Sequence, residues 1–513
     1  MASDGTQRCE AGADCMTMPE TPPSTIDDSR RRYVQRTVLF GLTTGLAARI
    51  AILLCGIASL VVTARLLEPA DFGIYAVLLA VCNFVILAAD AWINNSLVQR
   101  VDLDADAVAS AEAALTAIGC LGAFFVLAVA PFLEAQLGAR GLFGVACVLA
   151  VALPLEAASS FRTALLHREL RFQAAQAATV ANGFANLVGA VAGALAGFGA
   201  LALALGFTAG QLAEYVVVRM CERTRIDGRP GWRSLHPLLD FGNGYVVAAI
   251  ANYAALQGQN IVIGLLTSAG AVGLFSRAYS IMMVPVNLFA GASRKVAFAT
   301  VARLQDEPAY VREQLQLLIG LSALLILPIG IGLSLSAPIL VAVVLGPNWE
   351  GVVEPLAILF LALFARLGYV LPEAALIGMG LVWAAARRQI VYALVATVAT
   401  LAGTLQFGLA GAAAGFAIAA TAIYVLSIGA ARAFIGSSRA SIVIPHLRAA
   451  LVALLALGTA ELAIAATGQP RCGFVYVAGY WIGLGACFAL APSALLGEAR
   501  RARTAVYRAL RRR

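Results

Sequence analysis

The sequence is poor in charge, and that shortage sets its class before any motif is considered. Of 513 residues only 12% are Asp, Glu, Lys or Arg, about half the share of an ordinary soluble chain. Lysine is nearly missing, with Lys295 the only one. It is flanked by Arg294 and Val296. The chain therefore has no Gly-Lys-Ser/Thr loop to cradle nucleotide phosphates, which excludes an ATP-driven pump built from this chain alone. Histidine occurs three times, at His167, His236 and His446, far apart and in polar stretches. No zinc ligand set follows from that spacing, and no metal or cofactor is implied. Carboxylates are scarce in the short links as well. A membrane glycosyltransferase, polymerase or ligase needs a sizeable loop domain with acid and base groups, and none is legible here.

What fills the chain is apolar. Hydrophobic residues make up 61%, and the mean hydropathy is +0.86. A soluble fold could not bury that much apolar surface. Roughly 20 apolar residues are needed to cross a bilayer as a helix, and by that measure there are about 14 spans. They centre near residues 52, 82, 121, 150, 186, 208, 252, 282, 326, 363, 398, 419, 459 and 485. The expected class is an all-α polytopic membrane protein. Residues 1–36 are polar and rich in Pro, Ser, Asp and Arg, which reads as a disordered cytoplasmic segment and not as a cleaved signal. Residues 37–220 hold spans 1–6 and 221–238 form a basic linker. Residues 239–432 hold spans 7–12, 433–496 hold spans 13 and 14, and 497–513 are a basic tail.

Arginine sets the orientation. With the N-terminus in the cytoplasm, roughly 30 basic residues fall on the inside and only Arg65, Arg140 and Arg471 outside. Both termini are therefore expected in the cytoplasm. Of the nine cysteines, Cys55, Cys82, Cys120, Cys147 and Cys487 lie in apolar runs and read as small packing residues. Only Cys472 falls outside, so no disulfide framework is implied. The net charge of +8 is explained by topology, and no nucleic-acid partner is implied.

The chain also repeats. "GFGALALALGFTAGQLAEY" (197–215) is echoed by "QFGLAGAAAGFAIAATAIY" (406–424), and "LLEPADFGIYAVLLA" (66–80) by "LLTSAGAVGLFSRAYSI" (265–281). The offsets are about 209 and about 200 residues, so an even number of spans separates the copies. Two six-helix lobes are expected, related by a pseudo-two-fold axis along the membrane normal, with spans 13 and 14 added. Within the stretch after span 1, Pro69 is expected to stop a helix and Gly73 to allow the reversal.

Several stretches carry a resemblance. "ARLLEPADFGIYA" (64–76), "LLHRELRF" (165–172), "LLDFGNGY" (238–245), "GLFSRAYSIMMVP" (273–285) and "VVLGPNWEGV" (343–352) resemble, in order, segments of bacterial polysaccharide flippases. Those belong to the multidrug/oligosaccharidyl-lipid/polysaccharide exporter superfamily. The resemblance covers residues from about 40 to 435. It implies movement of an undecaprenyl-diphosphate-linked oligosaccharide from the inner to the outer leaflet, for lipopolysaccharide or exopolysaccharide synthesis. It also implies membrane lipids, and polysaccharide polymerase or assembly proteins, as partners. A lipid II flippase and a drug/cation antiporter of the same superfamily are the alternatives. No enzymatic activity is expected.

Diphosphate and sugars cannot cross hydrocarbon unaided. A wet cavity between lobes needs positive charge for the one and hydrogen-bonding groups for the other. Intramembrane arginines are the candidates for the first, since each is costly unless it faces a cavity or a partner. Arg366 lies near mid-span, with an ion pair to Glu354 or Glu373 as the structural alternative. Arg49 lies in span 1, where snorkelling would explain it equally. Arg277 lies near the outer start of span 8. Tyr253, Gln257 and Asn260 follow i, i+4, i+7 spacing along span 7, with Asn252 and Gln259 beside them, a polar stripe expected to line the lumen or to bond neighbouring helices. Asp90 is a candidate ion-pair partner for Arg49, and Glu214 a candidate for coupling to an ion.

Overall fold

The computed structural model describes residues 28–89, 93–94, 96–97, 104–222, 227–239, 243–303, 308–379, 381–436, 438–467 and 473–490. Hydrocarbon offers no hydrogen-bond partner to the backbone, so a spanning chain must satisfy its own amides, and a helix does so residue by residue. The elements are α1 (Asp28–Leu66), α2 (Pro69–Ala89), α3 (Ala105–Leu137), α4 (Leu142–Arg168), α5 (Phe172–Leu195) and α6 (Ala200–Cys221). A short α7 (Trp232–Leu239) leads to α8 (Asn243–Leu266), α9 (Ala269–Arg303) and α10 (Pro308–Val344). A 3-10 turn (Pro347–Val352) then opens α11 (Val353–Gly368) and α12 (Val370–Gly378), followed by α13 (Val382–Ile435), α14 (Arg439–Thr467) and α15 (Phe474–Leu490). Twelve stretches among the described residues are long and apolar enough to cross a membrane. The longest, α13, breaks at Phe407–Gly408 and so supplies two spans, and the shorter α15 completes the set. The protein is a multi-pass membrane protein.

Two sequence expectations change. α1 begins at Asp28, inside the stretch read as irregular to residue 36. A helix already formed by its apolar part propagates outward at little cost through good formers such as Arg and Gln. Pro69 does not end a helix. The reversal uses only Leu67 and Glu68, and Pro69 is the first residue of α2, where its fixed φ suits the first turn. Asp71 steadies that turn, its Oδ2 accepting the Glu68 amide at 3.0 Å.

The two lobes are built alike. In the first, α1 packs on α5, α3 on α4, and α6 on both α4 and α5; in the second, α8 packs on α13, α10 on α11, and α11 on α13. Tight crossings use small residues. Gly193 abuts Ala202 and Gly206 abuts Ala190 between α5 and α6, while Gly403 abuts Gly411 between the halves of α13. Without side chains between them, backbones approach closely, which is what drives helix association in lipid. The turns that join these pairs match. Gly199 adopts φ 55° and ψ −132°, and Gly408 adopts φ 59° and ψ −137°, a conformation open only to glycine. These are the Phe-Gly pairs of the sequence repeat.

Each lobe is also tied at its basic end. Ahead of α7, the Arg229 and Gly231 amides donate to Asp106 Oδ1 at 2.7 Å and Ser110 Oγ at 3.0 Å on α3. After α13, Ser441 Oγ accepts from Gln316 Nε2 of α10 at 3.2 Å, and Arg312 of α10 lies against Gly436. The two additional helices dock on α10, where Tyr480 donates to the Pro328 carbonyl at 2.8 Å and Trp481 Nε1 to Ser336 Oγ at 3.1 Å.

The lobes meet through α2 against α8 and α9. Gly73 is not in the turn at all. A Cβ there would collide with the Ala269 carbonyl, and a Cβ on Gly273 would collide with the Pro69 carbonyl. The contact is reciprocal, residue for equivalent residue, between helices that start from the same end. That places a pseudo-two-fold between α2 and α9, along the bundle. The arginine-poor end is thereby closed. Trp349 Nε1 donates to the Ala64 carbonyl at 2.7 Å, and Arg65 Nη2 to the Val343 carbonyl at 3.1 Å, both across the lobe boundary.

Gly73→Val should therefore open this end while leaving each lobe folded. Overpacking costs about 1–3 kcal/mol, enough to raise exposure about tenfold. The readout is labelling of Ala76→Cys, buried one turn further along α2, by an impermeant maleimide added at the arginine-poor side. Equal labelling with and without the Gly73→Val substitution would refute the closure.

Candidate functional site

Just beyond the glycine crossing lies a cavity of about 350 Å3 between the lobes. α2 contributes Tyr75, Ala76, Leu79, Ala80 and Asn83, α8 contributes Leu256, Gln257 and Asn260, and α9 contributes Ser276, Arg277, Tyr279, Ser280, Met283 and Asn287. Helical spacing accounts for each set. Tyr75, Leu79 and Asn83 recur every four residues, and Ser276, Ser280, Met283 and Asn287 every three or four, so each trio or quartet shares one face.

Among the described residues, Arg277 is the single charged one in that wall. Its guanidinium sits over the Phe72 ring, 4.4 Å from the centroid. Phe72 is fully buried and meets Trp349 edge-on at 5.1 Å, the same Trp349 that bonds Ala64. Arg277 thus hangs directly under the closed end. Its buried Nε has no hydrogen-bond partner among the described residues.

The polar stripe of α8 divides. Gln257 and Asn260 line the cavity, with Asn260 Nδ2 donating to Gln257 Oε1 at 3.2 Å and Asn260 Oδ1 unpartnered among the described residues. Tyr253 crosses to the other lobe, donating to the Ala80 carbonyl at 2.7 Å. Asn252 and Gln259 turn away. Gln259 bonds its own helix at the Ala255 carbonyl, 2.9 Å.

Arg366 is not in the cavity wall. It is 4% exposed and lies inside the second lobe among the hydroxyls of Tyr279, Tyr369 and Tyr392. Its Nη1 donates to Tyr369 Oη at 3.0 Å, and Tyr369 in turn donates to Asn252 Oδ1 at 3.2 Å. No carboxylate pairs with it among the described residues. Glu354 is exposed, and Glu373 is taken by Arg388 Nε at 3.1 Å and Ser427 Oγ at 3.0 Å. Tyr279 lines the cavity, so Arg366 stands one side chain behind it. Arg49 is exposed on α1 and contributes nothing to the wall. Glu214 stays within the first lobe, accepting from Asn182 Nδ2 at 2.7 Å. Asp90 lies outside the described residues.

Three of the sequence candidates, Arg277, Gln257 and Asn260, therefore share one cavity, and Asn252 with Arg366 form a buried network beside it. Sequence reasoning missed Tyr75 and Asn83 on α2 and Ser276, Tyr279, Ser280 and Asn287 on α9. Their helical spacing was the available signal. It also missed Glu156, a carboxylate within the apolar run "VALPLEAASSF". An intramembrane ionisable residue merits scrutiny on that ground alone.

Known proteins resemble this chain in sequence and in shape. The family pattern described as polysaccharide biosynthesis protein matches residues 62–354. The lipopolysaccharide biosynthesis protein WzxC of Escherichia coli (strain K12) is 23% identical over 335 residues, 61% of this chain and 64% of that protein. The succinoglycan biosynthesis transport protein ExoT of Rhizobium meliloti (strain 1021) is 24% identical over 292 residues, 56% of this chain and 58% of that protein. The match thus spans less than two thirds of the length of either relative. Among solved structures, an inward-facing multidrug resistance MATE family transporter of the MOP superfamily superimposes with a TM-score of 0.65 at 16% identity, over 75% of this chain and 94% of that one. The lipid II flippase MurJ in an inward closed conformation gives 0.63 at 11% identity, over 88% and 99%. At such identities the structures speak for the two-lobe fold alone.

The buried network yields a stability prediction. Tyr369→Phe leaves Arg366 Nη1 and Asn252 Oδ1 without their partner, a loss of about 1–3 kcal/mol. Thermal unfolding of the purified protein should show a lower midpoint, and adding Asn252→Ala should cost less than its effect alone.

Proposed function

The chain belongs to the polysaccharide biosynthesis protein family, and from that premise we propose that it is a flippase for a polyprenyl-diphosphate-linked oligosaccharide. It moves its cargo from the cytoplasmic to the outer leaflet of a bacterial inner membrane by alternating access of the two lobes. The observation that carries this is Arg277, a guanidinium with an unpartnered Nε facing a polar cavity beneath a closed end. A planar guanidinium suits a diphosphate. The hydroxyls and amides around it, from Asn83, Gln257, Asn260, Ser280 and Asn287, suit sugar hydroxyls.

The arginine-rich end and both termini are assigned to the cytoplasm by the inside preference of basic residues. The glycine crossing is then the outer gate, and this conformation awaits cargo from the cytoplasm. The polyprenyl tail stays in lipid. Only the diphosphate and the adjoining sugar need fit, which agrees with a cavity at the small end of ligand sites. Arg277 is held over Phe72 by a cation–π contact worth about 0.5–2 kcal/mol. Engaging a diphosphate draws the cation off the ring, which loosens Phe72 and Trp349 at the gate. Arg366, behind Tyr279, adds positive potential without touching cargo. Arg49 is left out of the contact set. The membrane lipids that hold the tail are partners in this scheme, and the polymerase that consumes the flipped glycan is a downstream one.

A drug/cation antiporter would place carboxylates in this wall, and among the described residues the wall holds none. A lipid II cargo presents the same diphosphate, so the glycan separates those two.

Depleting the gene in its source cell should make lipid-linked oligosaccharide accumulate on the cytoplasmic leaflet and deplete surface polysaccharide. Wild type should rescue. Arg277→Ala at equal expression should not, since losing a desolvated charge partner costs about 2–5 kcal/mol, or more than about thirtyfold in transport. Full rescue by Arg277→Ala would dismiss this residue, and absence of leaflet accumulation would dismiss the flippase.

A further inference from the structure

The α8 wall of the cavity carries a pair of amides that a diphosphate does not use. Asn260 Nδ2 donates to Gln257 Oε1 at 3.2 Å, and both residues line the cavity. That bond consumes one end of each amide. Asn260 Oδ1 is left without a hydrogen bond among the described residues, although Asn260 is only 7% exposed. Gln257 Nε2 likewise has no partner among the described residues. The pair therefore presents one acceptor and one donor. Amide oxygen and nitrogen can trade places, yet reversing both groups only swaps which residue supplies which end.

The pair is also held in place. Tyr253 lies one turn earlier on the same face of α8. It donates to the Ala80 carbonyl of α2 at 2.7 Å, and its ring lies 6.1 Å from that of Phe84. These contacts with the opposite lobe fix the rotation of α8, so Gln257 and Asn260 lie in the cavity wall while Gln259 bonds its own helix at Ala255. The bond between the two amides in turn restricts the rotamers of both. Such a site is organised before a ligand arrives. An unfilled acceptor this deep is a standing cost, which a ligand with a matching donor removes.

The two free ends say what that ligand offers. A sugar hydroxyl is donor and acceptor at a single oxygen. It reaches one end or the other but, with the Nδ2–Oε1 bond between them, not both. An acetamido group carries its acceptor on oxygen and its donor on nitrogen, two atoms of one rigid plane. It can meet both ends, and its methyl group finds Leu79, Leu256 and Met283 in the same wall. On a glycosyl diphosphate the phosphate is attached at C1, so the substituent on C2 is the sugar group nearest to it. With the diphosphate at Arg277, a cavity of about 350 Å3 has room for little beyond that first ring. We propose that Gln257 and Asn260 are specificity-determining residues that read a 2-acetamido group on the sugar next to the diphosphate. The cargo class is then a prenyl diphosphate whose first sugar is a 2-acetamido-2-deoxyhexose. This rests on the diphosphate cargo proposed above.

The test uses the full-length purified protein and short-chain prenyl diphosphates in two matched pairs, N-acetylglucosamine against glucose and N-acetylgalactosamine against galactose. A sugar-free prenyl diphosphate is the fifth probe. Titration calorimetry gives each affinity. The acetamido member should bind about tenfold tighter than its 2-hydroxy partner in at least one pair, since one amide then fills two ends that a hydroxyl cannot. Asn260→Leu and Gln257→Met, each close in size to the residue it replaces, should bring the acetamido probes down to the affinity of the 2-hydroxy ones and leave the latter within about twofold. Equal affinities within both pairs overturn the proposal and leave the flippase standing, and that comparison needs no variant. A preference that survives both substitutions assigns the recognition to other residues and overturns it as well. Failure of every probe to bind, the sugar-free one included, overturns the diphosphate cargo and this proposal with it.

Discussion

Gly73 and Gly273 let α2 and α9 meet backbone against backbone, and the rest of the lobe boundary follows from how close that brings them. With any side chain at either position, the Pro69 and Ala269 carbonyls could not sit where they do. Phe72 would lose its place under Trp349, the Trp349–Ala64 bond would stretch, and Arg277 would no longer lie over the Phe72 ring. In lipid there is no hydrophobic drive between helices, so such contact is held by close packing and hydrogen bonds. A boundary made this way is sensitive to small displacements. That suits an interface that opens and closes in the alternating-access cycle proposed above.

Below the crossing the controlling quantity is charge out of water. Among the described residues, Arg366 is enclosed by tyrosine hydroxyls and by no carboxylate. The tyrosines solvate the guanidinium as water would, yet leave its net charge in place. Glu373 shows the opposite solution, a carboxylate whose Oε2 is held by Arg388 and Ser427. Among the described residues, the second lobe thus keeps one cation without a carboxylate near the cavity and pairs another, Arg388, with Glu373. An anion approaching Tyr279 meets the field of the first.

The fold was largely legible because its rule is simple. Apolar runs of sufficient length become helices, and the Phe-Gly echoes at 198–199 and 407–408 marked the turns that both lobes share. Gly73 was misassigned to the reversal because a glycine near a proline reads locally as a turn, whereas its need arises from a helix some 200 residues away. The site was legible by chemistry and only in part by place. Arginine in an apolar run is conspicuous wherever it falls, so Arg277, Arg366 and Arg49 all stood out, but which lines a cavity depends on helix rotation. Asn83, Ser280 and Asn287 escaped notice because single small polar residues are common in spans. Glu156 was overlooked amid alanines, though the same logic that flagged Glu214 applied to it.

The reciprocal glycine contact also has a history written into it. Pro69 against Gly273 and Ala269 against Gly73 is the pattern of an isologous interface, the kind that two identical subunits make about a two-fold axis. A chain of half this length could have formed it with a second copy of itself. In such a homodimer every side chain beside the axis appears twice, so whatever charge one half carries at a position the other half carries too. Joining the two copies into one chain lifts that restriction. The fused gene could keep the symmetric hinge of glycines while letting the fourth span of one half hold Arg366 and that of the other Glu156, a cation and a carboxylate where a homodimer must carry the same residue twice.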